Sequence, residues 1–149
     1  MHDPDDYNVA LKLFVVQGET LLLLGDARNP GDLLDFPGGR INVGEEHLPL
    51  QECLKREVTE ELGDSFRYEL LQKEPVALFR NFFERKGKQY KIFLLGFAAR
   101  QTGGKIVLSD EHNSVQWVKI SDVNPNTCFS KGFAGGFKQF KQWFEKQRA

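Results

Sequence analysis

The stretch that decides the fold is Arg56-Glu57-Val58-Thr59-Glu60-Glu61-Leu62-Gly63, which follows the turn-like segment Phe36-Pro37-Gly38-Gly39. Its three carboxylates, Glu57, Glu60 and Glu61, are spaced i, i+3 and i+4, so on a helix they occupy an arc of roughly 100°. Like charges at this spacing repel and cost a helix about 0.2–0.5 kcal/mol per pair. A hard divalent cation such as Mg²⁺ or Mn²⁺ would make the arrangement favourable, because such ions prefer oxygen ligands. The stretch therefore predicts a helix that carries a metal site.

The sequence around these carboxylates predicts where the helix begins and ends. Proline suits a first helical position and glycine the position just past a helix end, so the helix is expected to begin at Pro49 and to end at Gly63. Its apolar residues repeat with a helical period, which predicts a face that packs on a sheet. These residues are Leu50, Leu54, Val58 and Leu62. The apolar face lies beside the carboxylate arc, so one face packs while its neighbour binds.

Apolar, β-branched and aromatic runs predict strands along the rest of the chain. These runs span residues 9–16, 20–24, 76–83, 89–99, 106–108 and 115–120. Hairpin turns are expected at 17–19 and 84–88, and a long loop at 25–39, where Gly, Pro, Asp and Asn are frequent. An amphipathic C-terminal helix is predicted by phenylalanines at i, i+4, i+7 and i+11, namely Phe133, Phe137, Phe140 and Phe144. The order predicts a single α+β domain over residues 1–149, an α/β/α sandwich with a central mixed sheet.

The composition excludes several classes of protein. With 149 residues, 40% of them hydrophobic and 28% charged, the chain is typical of one globular domain. A net charge of −1 provides no overall attraction to nucleic acid or to an anionic membrane. Cys53 and Cys128 belong to no Cys-x-x-Cys or Cys/His cluster, which argues against a zinc site or a disulfide framework. The acidic N-terminus does not resemble a signal peptide, and no apolar run approaches ~20 residues, so a cytoplasmic protein is expected.

With these residues in view, the chain resembles the Nudix hydrolases. Their box is Gly, five residues, Glu, seven residues, and then Arg-Glu-aliphatic-any-Glu-Glu-any-Gly-aliphatic. Gly39 and Glu45 match its first part, and residues 56–63 match its second part. Six constrained positions within eight residues make this second match specific. The resemblance implies the Nudix fold, with a catalytic helix and a C-terminal helix on the mixed sheet.

The chain departs from the box at two places. Ten residues rather than seven separate Glu45 from Arg56, which amounts to a three-residue insertion, and Asp64 stands where an aliphatic residue is usual. Counting from Glu46 leaves nine residues, so either glutamate can be the first one of the box. The insertion lies beside the predicted metal site, and we expect it to influence which substrate is accepted.

The resemblance implies hydrolysis of a diphosphate linkage with Mg²⁺ (or Mn²⁺) as cofactor. Glu57 and Glu61 would be direct metal ligands, and Glu60 either a ligand or a group just outside the ligands. The Gly39 carbonyl would add a ligand, because glycine lets the backbone approach an ion closely. Arg56 would hold a helix carboxylate through a bidentate pair rather than contact the substrate. In such a site the ion lowers the pKa of a bound water, and a nearby carboxylate takes its proton.

The carboxylate that takes this proton can come from two places. In this family the base lies either on the helix or in a later loop. Glu111, in the acidic loop at 109–113, is the loop candidate, with Asp110 a weaker alternative, and Glu57 or Glu60 is the helix candidate. The sequence leaves the choice open because it does not fix the loop geometry. The predicted catalytic residues are Glu60, Glu111 and Arg56.

Candidate substrate contacts follow from side-chain chemistry. Arg28, Arg40 and Arg80 could each bind phosphate, because a guanidinium group matches phosphate geometry. Phe36 is the candidate for stacking on a nucleobase. The phenylalanines of the 76–83 strand are interpreted as core residues. The basic run at 85–91 is interpreted as a solvated hairpin.

The sequence does not fix the substrate class. Pro75 lies twelve residues after Gly63, and Phe79 and Arg80 occupy the later positions, so neither the proline marker for ADP-ribose nor the tyrosine marker for diadenosine polyphosphates is in place. A nucleotide sugar, an ADP-ribose-like compound, a nucleoside triphosphate and a capped RNA end are the alternatives.

The sequence also allows a function other than hydrolysis. A nucleotide-sensing module without turnover is the alternative function, although a pure binder has no need of all three glutamates. The expected partner is a small nucleotide, with no membrane and no nucleic acid apart from an RNA 5′ end. A homodimer is one expected state, because members of the family are commonly dimers.

Overall fold

A computed structural model describes residues 2–27 and 33–148, and within them the chain forms eight strands and three α-helices. The strands are β1 (Asn8–Gln17), β2 (Thr20–Asp26), β3 (Leu34–Asp35), β4 (Gly38–Arg40), β5 (Arg67–Leu70), β6 (Ala77–Arg85), β7 (Lys88–Gly103) and β8 (His112–Lys119). The helices are α1 (Leu50–Leu62), α2 (Pro125–Cys128) and α3 (Lys131–Arg148), and a 3₁₀ turn spans Ile120–Asp122. No helix in the two described ranges is long and apolar enough to cross a membrane.

The strands form one mixed sheet whose main path runs β3-β2-β1-β7-β5. β1 and β7 pair in parallel from Asn8 opposite Ile92 to Val16 opposite Arg100. The other pairings are antiparallel, including β4 on β1, β8 on β2 and β6 on β7. β1 and β7 therefore form the centre of the sheet, as strands with continuous apolar sequence do when both faces are covered.

Alternate residues of β1 pack on opposite helices. Phe14 and Val16 belong to the cluster that includes Phe137 and Phe140 of α3. Leu11, Leu13 and Val15 belong to the cluster that includes Leu54, Val58 and Leu62 of α1. The sheet lies between α1 and α3, so the predicted α/β/α sandwich with a central mixed sheet is confirmed.

The helix α1 differs from its prediction in its first turn. Pro49 precedes the helix instead of opening it, and Gly63 follows the last residue with φ +93°, a conformation that favours glycine. Leu50 is 43% exposed, whereas Cys53 is buried. The expectation that Leu50 packs on the sheet is wrong, because the packed face begins one turn later with Cys53 and Leu54.

The strand expectations hold for both hairpins but not everywhere. β1 and β2 join through a tight turn at Gly18, and β6 and β7 pair from Arg85 opposite Lys88. Residues 106–108 are not a strand, since the Val107 N–H instead donates to the Leu62 carbonyl at the end of α1, 2.9 Å away. The predicted loop at 25–39 contains β3 and the start of β4, and the sequence analysis missed β5.

Candidate active site

The Phe36-Pro37-Gly38-Gly39 turn places its backbone directly against the carboxylates of α1. Gly38 has φ +129°, and its N–H donates to Oε2 of Glu61 at 3.3 Å. At Gly39, a Cβ atom would lie 2.3 Å from Oε2 of Glu57. Any side chain at position 39 would therefore displace the Glu57 carboxylate, whereas a Cβ at Gly38 would lie 2.0 Å from the backbone oxygen of Leu11, so Gly38 is the position that requires glycine.

Arg56 connects the segment before α1 to the carboxylates on the helix. Its Nη2 donates to Oε1 of Glu45 at 2.7 Å, and its Nε donates to the other oxygen of the same carboxylate. Its Nη1 donates to Glu57 at 2.9 Å and to both oxygens of Glu60 at 3.2 Å. These bonds raise the pKa of the Arg56 guanidinium, chiefly through Glu45, and Arg56 lowers the pKa of Glu45.

The bidentate partner of Arg56 is therefore a residue of the preceding segment and not, as expected, a helix carboxylate. Glu45 is buried and also accepts the N–H of Asn42 at 2.6 Å, which fixes its position before the helix. Glu46 is exposed. Between the two candidates for the first glutamate of the box, the geometry favours Glu45.

The extra residues before α1 form an exposed turn. Glu46, His47 and Leu48 are exposed, and the Leu48 N–H donates to the Glu45 carbonyl at 2.9 Å. Residues 46–50, all within the described part of the chain, do not line the cavity described below. Their influence on substrate choice would therefore have to be indirect.

Burial disfavours the ionised form of the two inner helix carboxylates. It raises the pKa of Glu61 to about 8, an effect that Lys12 opposes and the charges of Asp35 and Glu57 reinforce. Burial also raises the pKa of Glu57, with Arg56 opposing it. Glu60, with 57% of its side chain exposed, lies at the rim.

A cavity of about 940 Å³ opens beside this group of carboxylates. Its wall includes Gly39 and all three helix glutamates, Glu57, Glu60 and Glu61. The loop before β8 contributes Ser109, Asp110 and Glu111 to the same wall. The cavity is large enough for a nucleotide, since ligand pockets typically measure ~300–1,000 Å³.

Of the two predicted phosphate-binding arginines that the structure describes, one lies at the cavity and the other does not. Arg40 lines the cavity, whereas Arg80 does not, because β6 alternates and turns Arg80 toward the hydroxyl of Tyr7 and the ring of Phe82. The expectation that Arg80 contacts substrate phosphate is not supported by this position. Arg28 lies outside the described residues.

Phe36 is a core residue and not a stacking platform. Its side chain is fully buried, and its ring packs against Phe14, Phe129 and Phe133 at centroid distances of 4.8, 5.1 and 5.5 Å. The expectation that it stacks on a nucleobase is wrong for this conformation, because no face of the ring is accessible. Phe83 and Phe133 are the aromatic residues on the cavity wall.

A buried polar cluster, which sequence analysis missed, lies behind the turn. Lys12 donates from Nζ to Asp35 at 3.0 Å and to the carbonyls of Phe36 and Gly38 at 3.1 and 3.2 Å. Nε2 of His112 lies 3.4 Å from the second oxygen of Asp35, and its Nδ1 lies 3.8 Å from Glu61. Lys12 thereby ties the turn to β1.

The charges of this cluster stabilise each other. Burial works to lower the pKa of Lys12, but the charges of Asp35 and Glu61 outweigh it and hold that pKa above its usual value. Burial works to raise the pKa of Asp35, but Lys12 and His112 hold it below its usual value. The sequence does contain a signal for the burial of Lys12. Lys12 alternates along β1 with apolar residues that share its face, namely Ala10, Phe14 and Val16.

Two more polar residues line the cavity away from the glutamates. Asn81 of β6 is only 8% exposed, and its Oδ1 accepts the hydroxyl of Ser130 at 3.0 Å. Both side chains belong to the cavity wall. Sequence analysis did not select either one, since each resembles an ordinary polar residue until the strand faces are known.

Comparison with known proteins agrees with this architecture. Among solved structures, the chain is similar to a MutT protein from Methanosarcina mazei, with a TM-score of 0.70 and 23% identity over 92% of this chain and 94% of that one. It is also similar to an ADP-ribose pyrophosphatase from Streptococcus suis, with a TM-score of 0.65 and 16% identity over 97% and 94% of the two chains. An Ap4A hydrolase from C. elegans gives a TM-score of 0.61 and 19% identity over 93% and 98%. The TM-scores show a common fold.

The family follows from the sequence match. No curated protein sequence matches the chain. The NUDIX domain model, in contrast, matches residues 6–144, which is nearly the whole chain. The chain therefore belongs to the Nudix hydrolase family.

Proposed function

We propose that this chain hydrolyses a diphosphate linkage in a nucleoside diphosphate derivative with the help of Mg²⁺ or Mn²⁺. The observation that carries the proposal is the close packing of Gly39 on Glu57 at the wall of a nucleotide-sized cavity. Gly39 and the three helix carboxylates line the same wall. A purely structural turn would not need this concentration of oxygen ligands.

The residues present fit a hard cation, although they are not closed around one. In the described part of the chain, no three His, Cys, Asp or Glu side chains are arranged to hold an ion as they stand. Burial nevertheless raises the pKa of both Glu57 and Glu61, so an added positive charge would stabilise their ionised forms. Glu57, Glu61 and the Gly39 carbonyl would hold the ion, with Glu60 beside them.

When bound, the ion supplies positive charge to the diphosphate oxygens and to the leaving group. Arg56 keeps Glu57 and Glu60 in place through its Nη1, and Glu45 keeps Arg56 in place. The proton of the attacking water would pass to Glu60 or to Glu111, since both carboxylates line the cavity. Arg56 is thus a positioning residue.

The choice of substrate is the finer part of this proposal. Structural neighbours are named for ADP-ribose and for Ap4A, and a further one is named a UDP-X diphosphatase. We propose a nucleotide of this general kind, bound as a small molecule. A cytoplasmic location, proposed on composition, agrees with two cysteines that form no disulfide.

The test is turnover of a mixed panel that contains ADP-ribose, sugar nucleotides, dinucleoside polyphosphates and nucleoside triphosphates. Each is assayed with Mg²⁺, with Mn²⁺ and with chelator, for the parent and for Glu61→Gln. We expect metal-dependent turnover that falls at least about a hundredfold in the variant, the scale of losing one electrostatic catalytic contact. Glu60→Gln and Glu111→Gln, compared at several pH values, would identify the base.

Two outcomes would contradict the proposal. Equal turnover by the parent and Glu61→Gln would show that the helix carboxylates are not the centre of the reaction. Nucleotide binding without turnover of any panel member would favour the nucleotide-sensing module instead.

A further inference from the structure

The cavity wall has a charge imbalance that an anionic substrate must overcome. Among the described lining residues, eight are acidic and three are basic. One of the three, Lys12, is already bonded to Asp35 and to two carbonyls. Arg40 and Arg85 are the other two, and neither forms an ion pair with a carboxylate in the described part of the chain.

Both arginines are held by aromatic rings. Phe83 and Tyr90 stack with centroids 4.9 Å apart and planes 13° apart. The guanidinium of Arg85 lies 5.2 Å from the centroid of Phe83, and that of Arg40 lies 5.2 Å from the centroid of Tyr90. A guanidinium held on a ring is attracted by the ring quadrupole and still has N–H donors for other partners.

A third cation completes this group. Nζ of Lys88 lies 5.1 Å from the centroid of Tyr90. The pairing of β6 with β7 puts Phe83 opposite Tyr90 and Arg85 opposite Lys88, so these four side chains share one face of the hairpin. Phe83 and Arg85 line the cavity together with Asn81 and Ile92 of the same face, which places that face beside the active site. Glu84, at the end of the hairpin, lines the cavity as well. The basic hairpin was interpreted from sequence as solvated. One of its faces, which carries Arg85 and Lys88, instead lies on the side of the active site.

We propose that Arg40, Arg85 and Lys88, supported by the Phe83–Tyr90 stack, form a phosphate subsite at the mouth of the cavity. The inference rests on the proposed function, because it extends the same cavity. The subsite binds phosphate groups beyond the linkage that is hydrolysed. It favours substrates with a chain of three or more phosphates over nucleotide sugars, in which a neutral sugar follows the diphosphate.

Three cations on one surface suit a polyphosphate for an electrostatic reason. Guanidinium–phosphate pairs are charge-assisted hydrogen bonds, which are about twice as strong as neutral ones. Lys12, the other basic residue of the described wall, is already bonded to Asp35, so phosphates that reach past the metal ligands would meet Arg40 and Arg85 as the available cations of that wall. A sugar in this position would leave these cations without a charged partner.

The direct test is titration calorimetry with inorganic tripolyphosphate and with orthophosphate, each in excess Mg²⁺. For the parent we expect tripolyphosphate to bind more tightly than orthophosphate. Arg85→Gln and Arg40→Gln should each weaken tripolyphosphate binding by about tenfold, as expected for losing one hydrogen bond to a charged group. Tyr90→Leu keeps every charge and should weaken binding by a smaller factor.

Arg80→Gln is the matched control. Arg80 lies over Phe82, 5.7 Å from its centroid, just as Arg85 lies over Phe83, but it occupies the opposite face of the same hairpin. We expect its tripolyphosphate affinity to stay within twofold of the parent, roughly the error of such a comparison. Equal losses in Arg80→Gln and Arg85→Gln, or no loss in Arg85→Gln, would overturn the subsite.

Turnover separates this inference from the proposed function. If the enzyme turns over, the ratio of kcat/KM for a nucleoside triphosphate to that for a nucleotide sugar should fall in Arg85→Gln and not in Arg80→Gln. An unchanged ratio would overturn the subsite while leaving hydrolysis intact. If no substrate is turned over but tripolyphosphate binding depends on Arg85, the subsite stands and the proposed function fails.

Discussion

Two polar clusters hold the turn that carries Gly39, and they differ in both depth and origin. The helix cluster consists of Glu45, Arg56, Glu57 and Glu60, which lie within sixteen consecutive residues. The buried cluster consists of Lys12, Asp35 and His112, which come from β1, β3 and β8. Glu61 contacts the turn and lies between them.

Their exposure predicts different consequences of mutation. In the helix cluster the side chains of Arg56 and Glu60 are 25% and 57% exposed, so water can replace part of a bond that these two groups lose. The side chains of Lys12 and His112 are 8% and 1% exposed, so water cannot do the same in the buried cluster. Removing one partner there leaves an uncompensated charge in a medium of low polarity. The buried cluster should therefore dominate stability, whereas the helix cluster should dominate orientation.

The substitution with the largest expected effect on this comparison is Lys12→Met. The change keeps side-chain volume but leaves the Asp35 carboxylate without its ion-pair partner. We expect the free energy of unfolding to fall by about 3–5 kcal/mol, measured by urea denaturation at pH 7. Lys91→Met is the control, because Lys91 forms an exposed ion pair with Asp5 and its substitution should change the free energy of unfolding far less. Similar losses in both variants would mean that burial does not distinguish the clusters.

The pH dependence of stability tests the effect of burying Glu61. In the folded protein the pKa of Glu61 is about 8, whereas in the unfolded chain it is close to 4.5. Between these values the folded state binds the extra proton, so the free energy of unfolding of the metal-free protein falls as the pH rises. The fall amounts to about 1.4 kcal/mol per pH unit, hence roughly 2–3 kcal/mol between pH 5 and pH 7.

Glu61→Gln removes this titration and isolates it from the other groups. Urea denaturation in the presence of chelator should give the variant a shallower pH profile than the parent over the same range. Glu60→Gln, which changes an exposed carboxylate, should keep the profile of the parent. Parallel pH profiles for the parent and Glu61→Gln would contradict the raised pKa of Glu61 as the source of the pH dependence.

A smaller effect is expected at the outer end of the helix cluster. Glu45→Gln keeps one acceptor for Arg56 but removes the charge, so we expect a loss of stability that is smaller than that of Lys12→Met. Because Arg56 then positions Glu57 and Glu60 less well, metal-dependent turnover should fall about tenfold, at the low end for a group that orients ligands. Glu46→Gln should change neither quantity measurably. The reverse ranking would make Glu46 the first glutamate of the box.

The different origins of the helix cluster and the buried cluster explain which parts of the site could be predicted from the sequence. The positions of Glu57, Glu60 and Glu61 follow from helical spacing alone, and Gly39 from the turn before it. Asp35 and His112 meet only because β3 and β8 both pair with β2, with Asp35 opposite Leu24 and His112 opposite Asp26. Such strand registers depend on the whole sheet and are not visible in any local pattern.

The wrong expectations have physical reasons of the same kind. Phe36 follows a long loop, and a lone aromatic residue there fits a surface or a core equally well until its neighbours are known. Its burial depends on α3, whose Phe133 comes almost a hundred residues later. Residues 106–108 have the composition of a strand but hydrogen-bond the end of α1 in place of a neighbouring strand.

The parallel pairing of β1 with β7 also has a consequence for how the chain folds as it is synthesised. It joins residues more than 80 positions apart, so the centre of the sheet cannot form until residue 100 has left the ribosome. Until then β1 and β2, apolar on both faces, have only each other and the short β3 and β4 as described strand partners. Closing so long a segment is slow, and the exposed strand edge is open to association with other chains. Folding yield should therefore depend more on protecting β1 and β2 before β7 arrives than on the residues of the active site.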